Sequence, residues 1–108
     1  SKGLFGGMKL VLDISGNRSI DHIPELVLCA CSENEFLTSQ DDPRAIVLQQ
    51  FSSVELDGPR KQVSWTYDIE CNYSGKELKR MKFFLFETAP TRSEKFTLRW
   101  QQGFKGKV

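Results

Sequence analysis

The side chains able to do covalent or metal chemistry are few in this sequence. The only histidine, His22, sits in Ile20-Asp21-His22-Ile23-Pro24, and no GxSxG elbow or CGSCW-like segment supplies a nucleophile for it to activate. Cys29, Cys31 and Cys71 are an odd number without CxxC spacing, which disfavours both a disulfide framework and a zinc site. Cys29 and Cys31 stand two apart inside the apolar run Leu26 to Cys31, so on a strand they share a face, and buried free thiols are expected. The carboxylate pairs Glu33/Glu35 and Asp41/Asp42 fall in a polar stretch that reads as a loop, where carboxylates are normally solvated. Gly3, Gly6 and Gly7 fit neither GxGxxG nor GxxxxGK[ST], so no phosphate cradle is expected. The sequence therefore points away from an enzyme, and no cofactor, metal or small-molecule substrate is expected.

What remains is electrostatic. Residues 1–72 carry six Lys/Arg against eleven Asp/Glu, whereas residues 73–108 carry nine against three, so a formal charge of +1 hides an acidic front and a basic end. In the basic end Lys76, Lys79, Arg80, Lys82, Arg92, Lys95, Arg99, Lys105 and Lys107 are interleaved with Phe83, Phe84, Phe86, Phe96 and Trp100, a combination that suits an anionic partner. If Met81, Phe83 and Leu85 face a core, strand alternation sets Arg80, Lys82, Phe84 and Phe86 on the opposite face. Lys76, Lys79, Arg80, Lys82, Phe84 and Phe86 are thus the candidate binding residues, for a protein partner or an anionic phospholipid. Each cation near an anionic leaflet contributes about 1 kcal/mol, which gives weak, salt-sensitive attachment. A nucleic-acid-binding β-domain that stacks bases on Phe83, Phe84, Phe86 and Trp100 is the second reading, without an RNP-like motif to support it. Two plainer readings compete: a merely solvated basic face, and Phe84 and Phe86 packed beneath another strand or a neighbouring domain.

The elements that must carry these residues are short strands. Lys61 to Cys71 alternates Val63, Trp65, Tyr67, Ile69 and Cys71 with polar residues, and Glu94 to Gln101 repeats the pattern with Phe96, Leu98 and Trp100. Lys9 to Ser15 offers Leu10, Leu12 and Ile14 on one face, with Gly16-Asn17 expected to end it. Leu26 to Cys31 reads as a strand buried on both faces, and Met81 to Phe86 as a further strand. Asp42-Pro43 has the form of a helix start, which would make 42–54 helical and the fold α+β, but Ala45-Ile46-Val47-Leu48 favours a strand. Ser74-Gly75-Lys76-Glu77 has capping-box spacing, yet the phenylalanines that follow favour a strand entered from a Ser-Gly turn. Six strands between Gly, Pro, Asn, Asp and Ser turns read as an antiparallel β-sandwich.

The order of these pieces resembles a C2 domain. Leu26 to Cys31, the acidic loop Ser32 to Gln40 and Asp41-Asp42-Pro43-Arg44-Ala45-Ile46-Val47-Leu48 are similar to the C2 sequence in which a strand passes through a loop into Ser-Asp-Pro and a second apolar strand. Ser74 to Glu87 resembles the later C2 strand that ends in an acidic residue. The likeness covers about 65 residues, and each motif alone is common. Calcium-binding C2 domains need several aspartates from two loops, because Ca²⁺ takes six to eight oxygens. Here Asp42 matches one aspartate, Glu87 stands for another, and Ala89-Pro90 offers no side-chain oxygen. The resemblance implies a calcium-independent, C2-like module that docks a larger protein to a protein partner or to anionic membrane. An Ig-like sandwich with Cys29 paired to Cys71 is the other fold considered, although Trp65 lies only six residues before Cys71.

At 108 residues, with 39% hydrophobic and 27% charged, the chain fits one domain spanning 1–108 whose core holds without staples. No stretch approaches the roughly 20 apolar residues of a bilayer span. Ser1 suggests a segment excised from a longer protein, and Ser1 to Gly7 resembles neither a signal peptide nor a targeting helix. Reduced cysteines make a cytoplasmic location, peripheral at a membrane, the expectation; the triplets Asn17-Arg18-Ser19 and Asn72-Tyr73-Ser74 would matter only in a secreted protein.

Overall fold

A computed structural model of the chain describes residues 7–88 and 97–104. Residues 1–6, Ala89-Pro90, the cations Arg92, Lys95, Lys105 and Lys107, and Phe96 lie outside them. The order of elements is β1 (Gly7–Ile23), β2 (Leu26–Ser32), β3 (Ile46–Phe51), β4 (Val54–Glu70), α1 (Gly75–Leu78), β5 (Met81–Glu87) and β6 (Thr97–Phe104). They form two antiparallel three-stranded sheets, β4-β1-β6 and β3-β2-β5, which pack against each other. The molecule is all-β and sandwich-like, with six strands as the turn spacing implies.

Alternation builds the main core. Met8, Leu10, Leu12 and Ile14 of β1 are fully buried, while Lys9 and Asp13 between them are exposed. They meet Leu26, Leu28 and Ala30 of β2, Phe51 of β3, Val63 and Ile69 of β4, and Phe83 of β5. Fully burying one such side chain is worth about 1.5–3 kcal/mol, so this interior holds the sheets together. Between β1 and β2 the chain changes sheet within two residues, Pro24-Glu25, and Ile23 and Leu26 on either side of that corner are fully buried.

Three local expectations need correction. Gly16-Asn17 does not end the first strand: β1 continues to Ile23, paired along the 17-residue β4, and the turn residues fall where the register shifts between Ser15 and Ile20. A long partner keeps the backbone groups paired beyond the irregularity, as at a β-bulge. Residues 75–78 are a helical turn rather than strand. The Ser74 hydroxyl accepts a hydrogen bond from the Glu77 amide at 3.2 Å, and Glu77 Oε1 accepts one from the Ser74 amide at 2.9 Å. This reciprocal capping box satisfies two otherwise unpaired donors and decides the local conformation, so the strand begins only at Met81. Cys29 is a buried thiol outside any disulfide, which removes the Cys29–Cys71 pairing considered with the Ig-like fold. Residues 46–51, by contrast, form the strand expected from their apolar run, and Asp42-Pro43 opens a turn.

Candidate binding site

Alternation on β5 sends Phe83 into the main core, with Met81 and Leu85 packed against it, and turns Lys82, Phe84 and Phe86 outward. The outward face is not bare. On the neighbouring β2, Val27, Cys29 and Cys31 also point outward, because Val27 pairs with Phe86, Cys29 with Phe84 and Cys31 with Lys82. Together with Leu37 from the following loop they make a second, smaller core, against which Ala45, Phe84 and Phe86 pack. Leu37 is 1% exposed although it belongs to a loop. β2 is therefore buried on both faces, as its unbroken apolar run implies.

The loop between β2 and β3 is held down by polar contacts that its sequence supplies. Arg44 donates from Nη2 to Asp42 Oδ2 at 2.8 Å, from Nε to Asp42 Oδ1 at 3.1 Å, and from Nη2 to the Phe36 carbonyl at 3.1 Å. The Arg44 guanidinium, through these hydrogen bonds, holds the Asp42 carboxyl down at about 2. Phe36, brought over by this clasp, meets the ring of Phe84 edge-on at 5.0 Å between centroids, and Lys82 Nζ lies 5.9 Å from the Phe36 ring centre. Burial pushes the Cys29 and Cys31 thiols up, for Cys31 with help from Glu35, so both are held in the unreactive thiol form.

The four cations of the candidate set are exposed and form no ion pair among the described residues. Lys76 and Lys79 belong to the helical turn and its C-cap, Arg80 follows, and Lys82 stands on β5. Lys76, Lys79 and Arg80 line an open groove of about 510 Å³ with Ser74 and Glu77. Because the capping box replaces strand, the alternation argument places Lys82 but not Arg80. The structure thus brings three of the cations together around α1 and separates them from Phe84 and Phe86, which are half-buried against the smaller core. The other aromatics considered for base stacking face inward: Phe83 is 7% exposed, and Trp100 packs against the main core.

The sequence does not announce that the loop between β2 and β3 forms a lid over the smaller core. Leu37 and Phe36 sit in a stretch that reads as polar loop, and the signal that finds them is Glu35-Phe36-Leu37, a bulky apolar pair inside acidic and hydroxyl residues. His22 is half-buried on β1 and its Nδ1 lies 2.9 Å from Asp21 Oδ1, which lowers the Asp21 pKa mainly through that hydrogen bond. The β1–β4 register sets Glu55 opposite His22, but no nucleophile is brought to it among the described residues. Among the described residues no three His, Cys, Asp or Glu side chains converge, and Asp42 commits both carboxylate oxygens to Arg44. The described donors do not fit the six to eight oxygens of a calcium site. No described helix is long and apolar enough to cross a membrane. No family model, curated protein or solved structure matches this chain.

Proposed function

We propose that this domain is a non-catalytic, C2-like docking module that attaches a larger protein to anionic membrane without calcium. The observation that carries the reading is the set of exposed cations Lys76, Lys79 and Arg80, without ion pairs among the described residues, around one open groove, with Lys82 on β5. Four cations at about 1 kcal/mol each amount to weak attachment that fades with salt. Since Phe84 and Phe86 pack against the smaller core, attachment is electrostatic, with no aromatic wedge from β5. The C2 likeness of Leu26 to Leu48, a strand followed by an acidic loop and a second apolar strand, supports the reading.

Co-sedimentation with neutral and anionic vesicles, at low and physiological salt, with calcium or EDTA, tests it. Binding to anionic vesicles alone, lost with salt, unchanged by EDTA and reduced in Lys76→Glu/Lys79→Glu, is expected. Equal binding to neutral vesicles defeats the electrostatic account. No binding in any condition overturns membrane docking and leaves docking to a protein partner.

A further inference from the structure

The outer face of the sheet β4-β1-β6 belongs to neither core. The alternation that buries Leu12 and Ile14 of β1 turns Asp13 and Ser15 outward, and the residues opposed to them share that face. Asp13 stands between Ser64 of β4 and Arg99 of β6, and Ser15 between Gln62 and Thr97. Hydroxyls and a carboxamide thus surround one carboxylate and one guanidinium, all of them exposed. Unlike charges directly opposed on a ladder, with Cβ atoms about 4.5–5.5 Å apart, normally pair. Further along the same face Lys9 does so, with Asp68 at 3.1 Å. Asp13 and Arg99 form no ion pair among the described residues. The surface beside them is hollowed: a cavity of about 410 Å³ is lined by Asp13, Ile14, Ser15, Gln62, Thr97 and Arg99, and a second of about 250 Å³ by Asp13, Arg99, Trp100 and Gln101.

We propose that these two cavities form one site for a neutral saccharide, held through its hydroxyl groups. Charge decides the class of ligand. Asp13 and Arg99 cancel, so the lining selects neither an anion nor a cation, and a phosphate chain meets a single guanidinium set against a carboxylate. Ile14 is fully buried and Trp100 packs against the main core, so the lining lacks the broad apolar floor that apolar ligands fill. A sugar hydroxyl both donates and accepts, and neighbouring hydroxyls match a carboxylate that only accepts beside a guanidinium that only donates. Asp13 accepts from adjacent hydroxyls, the planar fork of Arg99 donates to their oxygens, and Gln62 and Gln101 do both. Since Asp13 and Arg99 do not satisfy each other, no ion pair has to break first. Each lining residue stands on a strand, which holds the set more rigidly than a loop. Hollows on both sides of the Asp13–Arg99 pair suit an oligosaccharide with one ring in each. An open site shields only part of its ligand from water, so affinity is millimolar.

Amide chemical shifts of the lipid-free protein, followed by NMR as cellotetraose, maltotetraose or mannotetraose is added, read this site separately from membrane docking. At least one of these neutral probes is expected to bind with millimolar Kd and to shift residues 13–15, 62–64 and 97–101. Asp13→Asn and Arg99→Gln each raise that Kd about tenfold, whereas Lys76→Glu/Lys79→Glu, around α1, leaves it unchanged. Glucuronate and glucosamine are expected to bind no more tightly than glucose, and tighter binding of either overturns the neutral class. No shift with any of the three oligosaccharides at its solubility limit overturns the site. So do shifts centred elsewhere, Asp13→Asn and Arg99→Gln binding like the parent, or Lys76→Glu/Lys79→Glu weakening binding equally. Should a variant fail to fold by circular dichroism, the shift map of the parent decides alone.

Discussion

Arg44 and Asp42 form a closed two-residue clasp, so Asp42 titrates in company that an isolated aspartate lacks. Its depressed pKa fixes the sign of the effect: the clasp contributes stability that is fully present above the ordinary value of 3.8 and is lost as pH falls through about 2. An NMR titration of the Asp42 carboxyl is expected to give a midpoint near 2, with the Arg44 Nε–H resonance moving at the same midpoint. A midpoint at the ordinary aspartate value would mean that the clasp does not persist in solution. The thiols give a second residue-scale prediction. Cys29 and Cys31 are buried and their pKa values are raised, whereas Cys71 is half-buried. A maleimide added to the native protein is expected to reach Cys71 first, and Cys29 and Cys31 only on unfolding. Two cysteines that refuse label after unfolding without reductant would reveal a disulfide and contradict the structure.

The loop between β2 and β3 behaves as an element in its own right, with Leu37 as its anchor. Leu37→Ala is expected to cost about 2–5 kcal/mol by urea denaturation, the range for deleting a buried leucine, and Phe36→Ala clearly less because its ring is 63% exposed. Equal costs would show that the lid is held by the Phe36 ring instead. Ser74→Ala removes half of the capping box at α1 and should cost about 1 kcal/mol. Period-two patterns found β1, β4 and β6 in the sequence because each has one wet face, and the apolar run of β2 announced burial on two sides. The turn at 75–78 was also written there, as Ser74 and Glu77, but the competing phenylalanines belong to the next element. What covers the outer face of β2 was not legible, since Leu37 reaches it from a loop whose path depends on Arg44 finding a backbone carbonyl eight residues earlier. Three of the candidate cations could be placed at one site only once the helical turn was known.

At the scale of the whole molecule, the first strand waits for partners from far along the chain: β1 pairs with β4 and with β6. Such non-local pairing makes folding slow, so refolding in stopped flow is expected in milliseconds to seconds, and a microsecond phase accounting for all of the signal would contradict this topology. The two cores are not independent halves, because the side chains of one strand, β2, fill both. Leu28→Ala on the inner face and Leu37→Ala on the outer should shift one common transition, followed alike by far-UV and near-UV signals. A separate early transition for the outer core would show that the lid melts alone. The same double burial leaves residues 26–31 without a permissive side. In an exhaustive substitution library, polar replacements would be tolerated at every second position of β4 and at none of the six consecutive positions of β2, so among the described residues the stretch least open to change is the one that joins the two cores.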